Sequence, residues 1–149
     1  MRLLRRLLLL ELGFWSGVAA SAAVLKRALP SNGDAESDEV ALVAIFDGIQ
    51  LENRSTAFRG GSVLTWFGGI DLDLRRAQLA PGARIRAHAL SGGIAIQVPP
   101  EWRVESTVRG IAGGVAVDPA HVDDPDVPVL AVEGFALLGG IAVGRKTAS

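Results

Sequence analysis

The stretch Phe67-Gly68-Gly69-Ile70-Asp71-Leu72 decides the fold, because it returns. An earlier copy reads Phe46-Asp47-Gly48-Ile49-Gln50-Leu51. Later copies read Ser91-Gly92-Gly93-Ile94-Ala95-Ile96, Ala112-Gly113-Gly114-Val115-Ala116-Val117 and Leu138-Gly139-Gly140-Ile141-Ala142-Val143. The last glycines fall at 48, 69, 93, 114 and 140, so the steps are 21, 24, 21 and 26 residues. A period in this range marks one supersecondary unit used repeatedly, each copy burying its apolar face against the next.

Around each copy the apolar period is two. Ile70, Leu72 and Leu74 alternate with Asp71, Asp73 and Arg75. Ile85, Ala87 and Ala89 alternate with Arg84, Arg86 and His88, and Ile94, Ile96 and Val98 with Ala95 and Gln97. Trp102, Val104, Ser106 and Val108 alternate with Arg103, Glu105, Thr107 and Arg109. Alternation of this kind turns one set inward and leaves the other in solvent. The pattern resumes after Val129 through Val132, Phe135, Leu137, Ile141 and Val143.

These strands fit two architectures. In a parallel β-solenoid of about five coils, like residues lie above like, and glycine turns the corner because it accepts φ > 0. The other is a meander of antiparallel hairpins closed as a sandwich or barrel. Hairpins favour Asn-Gly or Asp-Gly turns, and only Asp47-Gly48 has that form among the five copies. The solenoid is the expected fold class: an all-β repeat domain over residues 40–145, with Arg145 and Lys146 blunting its C-terminal end.

Composition narrows the function. The 149 residues allow one domain and a tail, and 49% are apolar. A net charge of −1 without a basic cluster argues against nucleic-acid binding. The chain has no cysteine, which removes disulfides, thiolate metal sites and cysteine nucleophiles.

Residues 1–28 read as one hydrophobic helix, with Arg2, Arg5 and Arg6 before an apolar run from Leu7 to Leu25. Nineteen residues just suffice to cross a bilayer. Glu11 interrupts the run, at a cost of up to about 3 kcal/mol in a membrane. Three readings stay open: a membrane-associated helix, a cleaved signal ending near Ala19–Ala23, and a helix packed on the chain's own domain. Residues 29–39 are an acidic, turn-rich connector expected to act as a tether.

Candidate site residues are few. Asp71 and Asp73 point the same way from one strand, as paired carboxylates for glycoside hydrolysis would, or as a solvated face. Arg84, Arg86 and His88 share a face suited to an anionic group or to neighbouring carboxylates. Arg103 and Glu105 complete a possible polar interaction face. Asp123, Asp124 and Asp126 lack the spacing of a calcium loop, and His88 with His121 makes no metal signature. No catalytic, cofactor or metal site is expected.

The run Phe58-Arg59-Gly60-Gly61-Ser62-Val63-Leu64-Thr65-Trp66-Phe67-Gly68-Gly69-Ile70-Asp71-Leu72-Asp73-Leu74 resembles the C-terminal domain of bacterial cell-wall-active antibiotic response proteins, the LiaF-like family. So do Ala87–Ile94, Val98-Pro99-Pro100-Glu101-Trp102-Arg103-Val104 and Gly134–Ile141. The resemblance covers residues 40–144. It implies a β-solenoid attached to the inner (cytoplasmic) membrane that regulates the envelope-stress response through a protein partner such as a sensor kinase. The family carries no catalytic motif, so a non-enzymatic scaffold is expected, with lipid contacts through the N-terminal helix. The alternative is a bactofilin-like solenoid that polymerises through its ends.

Overall fold

The computed structural model describes residues 31–118 and 124–146. The chain divides into two units, residues 1–30 and 31–149. The expected N-terminal helix lies outside the described residues, as do His121 and Asp123. Among the described residues, no helix is long and apolar enough to cross a membrane.

The second unit is all β. Its strands are β1 (Glu39–Ile45), β2 (Gly48–Glu52), β3 (Phe58–Asp73), β4 (Leu79–Val98), β5 (Arg103–Gly110), β6 (Gly114–Val117), β7 (Val129–Ala136) and β8 (Gly140–Arg145). Every pairing between these strands is parallel. The result is a β-solenoid of about four turns. β3 and β4 each run through both long faces, and register shifts near Thr65, Trp66 and Gly68 bend them at the corner. The first face holds β1, β7, β5 and the leading halves of β3 and β4. The second holds β2, β8, β6 and the trailing halves.

The repeated motif is in register. Gly48 lies beside Gly69, Gly69 beside Gly93, Gly93 beside Gly140, and Gly140 beside Gly114. Ile49, Ile70, Ile94, Ile141 and Val115 therefore form one inward column. Parallel strands lie about 4.8 Å apart, so each aliphatic side chain covers the one below. Ile70, Ile94 and Ile141 are almost fully buried, as are Leu72, Ile96 and Val143 beside them. Val63, Ile85, Leu130 and Val132 face them from the first sheet. Phe58, Leu74 and Trp102 close the far side, all buried. Phe135 departs from expectation: it faces outward, with its ring 4.7 Å from that of His88.

The stacking order is not the chain order. It runs β1-β3-β4-β7-β5 on the first face, and β8 sits between β4 and β6 on the second. The layer of β7 and β8 is thus inserted between β4 and the layer that precedes it in sequence. The link from β4 to β5 skips one layer, roughly 10 Å, which the few residues around Pro99–Trp102 can span. This corrects the expectation about the ends. Arg145 and Lys146 follow an interior strand, and the open edge is β5 and β6. Arg103, Glu105 and Arg109 stand on that edge, where charge discourages pairing with another chain. Ser106 takes the place held by Val40, Ile85 and Val132 in the inward column, as suits a core that stops there.

The opposite edge is partly covered by the acidic connector. Asn32 exchanges two backbone hydrogen bonds with Ala41, at 2.6 and 2.7 Å. The Ser31 hydroxyl donates to the Val43 carbonyl and accepts from its N–H. The buried Asn53 amide donates to the Ser37 carbonyl at 2.8 Å, and Ser55 bonds Asp38. Residues 31–38 are therefore tied to the first layer.

The glycines divide into two classes, which the expectation of φ > 0 at each corner did not foresee. The first glycine of each pair is where layers touch. A Cβ on Gly139 would lie 1.9 Å from the Gly92 carbonyl oxygen, and one on Gly92 would lie 2.1 Å from that of Gly68. The second glycines, at 48, 69, 93, 114 and 140, have ordinary φ, and a Cβ there meets nothing closer than 3.7 Å. Among the motif glycines only Gly92 has a positive φ, at 146°, and Phe46 and Phe67 take the left-handed conformation at φ 51° and 53°. For a bulky residue that conformation costs on the order of 1–2 kcal/mol.

Candidate interaction surface

The sequence-derived candidates do not form one face. Arg84, Arg86 and His88 stand on the leading half of β4, on the first sheet. Glu133 of β7 lies beside them, 3.0 Å from Arg86 and 3.6 Å from Arg84. Arg103 and Glu105 lie on the same sheet at its open edge, 3.5 Å from each other. Asp71 and Asp73 lie on the second sheet, across the corner. Arg84 and Arg86 of β4 thus share the Glu133 carboxylate of the neighbouring strand. His88 is half-buried against Phe135, and its Nδ1 has no hydrogen-bond partner.

Asp73 is held by Arg75, whose Nη2 donates at 2.6 Å and whose Nε donates at 2.9 Å. The Arg75 backbone N–H adds a third bond, at 3.0 Å. The Arg75 side-chain hydrogen bonds keep the Asp73 carboxyl below its usual range, against the opposing effect of burial. Asp73 is therefore ionised at neutral pH and unsuited to donate a proton. Asp71 accepts a long bond from the Gln97 amide, at 3.4 Å.

The linkage sign follows from the depressed pKa. The pair contributes stability above the unfolded-state pKa of an Asp, and that contribution is lost as pH falls through the lower folded value. Urea unfolding of wild type and Asp73→Asn across pH 2–7 checks this. The variant is expected to be less stable at neutral pH, and the gap to close below about pH 4. A gap that persists unchanged at the acid end would contradict the assignment.

The surface the sequence did not single out lies at the corner. Phe46 and Phe67 stack with centroids 5.1 Å apart and planes 7° from parallel, and Trp66 leans on Phe67 at 6.0 Å. Phe46 is 49% exposed, Phe67 53%, Leu138 64% and Ile111 70%. Each exposed ridge residue Phe46, Phe67 and Leu138 stands two positions before one of the second glycines. Beside the ridge those glycines pave the floor of an open trough of about 740 Å³ that crosses all the layers. Its far side carries Gln50, Asp71, Ala95, Ala142 and Ala116. Large apolar side chains exposed together at one corner mark a contact site more often than singly scattered ones do. Its signal in the sequence was the Phe-x-Gly spacing, which served the fold argument and concealed the exposure of the Phe.

Comparison with known proteins places this domain beside two mycobacterial chains. It is 29% identical over 106 residues to the uncharacterized protein Rv0966c of Mycobacterium tuberculosis, covering 70% of this chain and 53% of that one. It is 28% identical over 106 residues to the uncharacterized protein MT0994 of another strain of that species, with the same coverage. The chain spans about half the length of these curated relatives. No protein-family model and no solved structure matches it.

Proposed function

We propose that this chain is a non-enzymatic, membrane-associated scaffold of the bacterial envelope-stress response, a LiaF-like domain that acts by contact with a protein partner. The observation that carries the reading is the corner ridge. Two phenylalanines hold a costly backbone conformation while leaving half their surface in water. A strained residue that persists without serving the core points to a use outside the core. The parallel solenoid is the architecture the resemblance implies, and the two mycobacterial relatives are bacterial proteins. The N-terminal apolar run would keep the domain at the inner membrane, where a sensor kinase could meet it. Polymerisation through the ends is the less favoured reading, because the open edge carries Arg103, Glu105 and Arg109.

Deleting the chain from its host is expected to change the antibiotic-induced envelope-stress transcripts at least threefold. The intact Phe46→Asn/Phe67→Asn variant should fail to restore the response, since Asn tolerates the left-handed conformation and removes only the ridge. Unchanged transcripts after deletion would overturn the proposal.

A further inference from the structure

We infer that the ridge and trough are the two halves of one self-complementary surface, and that its occupant is a second copy of this chain. The inference rests on the reading of the corner as a contact surface and names its partner. Phe46, Phe67 and Leu138 stand beside the trough in three of the five layers it crosses, and the small Ser91 and Ala112 hold the equivalent place in the other two. A two-fold axis parallel to the solenoid axis would lay the ridge of each copy in the trough of the other. Phe46 would then face Gly48 of the second copy, Phe67 would face Gly69, and Leu138 would face Gly140. Such an isologous contact needs one patch that carries both shapes, and this corner does.

Two observations favour this occupant. The second glycines are required by neither φ nor packing, yet all five copies of the motif keep them. Any side chain at these positions would fill the trough, so their effect is to leave room for the neighbouring ridge. The area also fits a modest dimer. Five layers about 4.8 Å apart and a strip roughly 20 Å wide cover about 500 Å² on each copy. The total of about 1,000 Å² is the lower bound of specific interfaces, so association is concentration-dependent.

The chain has no cysteine, which makes a cross-linking test clean. Two differently tagged full-length chains, one carrying Phe67→Cys and the other Gly69→Cys, are co-expressed and oxidised. The mixed disulfide is expected at least tenfold above the homodimer of either variant alone. Its absence, or cross-linking only between like variants, overturns the arrangement. In cysteine-free protein, Gly93→Val is expected to weaken dimerisation at least tenfold while melting within a few degrees of wild type. Dimers that survive this substitution in a folded chain also overturn it. A monomeric chain whose deletion still alters the stress response would sink the dimer and leave the scaffold reading standing.

Discussion

Gly139→Ala is expected to destabilise the domain by at least about 3 kcal/mol, while Gly140→Ala leaves it unchanged or slightly more stable. The two residues are neighbours and chemically identical, so composition offers no reason for a difference. The difference lies in what each Cα approaches. At 139 the new methyl would sit 1.9 Å from the Gly92 carbonyl oxygen and 2.7 Å from its nitrogen. Both atoms are backbone, held by the ladder on either side, so neither can swing away as a flexible side chain would. The layers must part, and parting them weakens hydrogen bonds and aliphatic contacts on both faces. At 140 the nearest atom to the new methyl is 3.7 Å away, an ordinary contact. Replacing Gly there also removes unfolded-state freedom, worth about 0.4–1 kcal/mol. Thermal melts of the full chain check the pair, with a drop of roughly 10 °C or more expected for Gly139→Ala alone. Equal shifts would mean that the layers do not meet at the first glycine.

Removal of residues 129–149 is expected to cost two layers. In a stack built in chain order, that deletion would trim the end and leave the preceding coils intact. Here β7 and β8 stand between β4 and the layer of β5 and β6. β5 pairs only with β7, and β6 only with β8. Without them, residues 103–117 lose their ladder, and β4 becomes an edge with Ile85, Ile94 and Ile96 uncovered. Hydrogen exchange of the truncated chain should show residues 103–117 far less protected than in the intact protein, with protection kept over β1 to β3. In the intact protein the order of protection should also depart from chain order, with β7 and β8 above β5 and β6. Protection of β5 and β6 equal to or above that of β7 and β8 in the intact protein would refute the inserted layer.

These two results concern what was and was not legible in the sequence. The Gly-Gly-Ile spacing and the period of two identified the strands, the inward sets at 70, 72, 94, 96, 141 and 143, and the parallel register. They did not identify the order of layers. The motifs at 114 and 140 are equivalent, so either can lie on the motif at 93 with the same aliphatic contact. The signals that distinguish them are weak. Ser106 falls in a column otherwise apolar or glycine, and the chain between 117 and 129 is long enough to turn back. The corner was misread for a related reason. Phe46 and Phe67 precede the glycines as core residues often do, and nothing in their spacing reveals a positive φ. The polar candidates were assigned to one face because alternation tells inside from outside, not which of two outer faces a residue occupies.

The inserted layer also sets a schedule. On the ribosome, β5 and β6 emerge before β7 and β8 have been made. During that interval the exposed border of β4 is vacant, and the nascent 103–117 segment is the nearest strand able to occupy it. A provisional stack in chain order is therefore a kinetic rival to the native one, and arrival of β7 and β8 must displace it or forestall it.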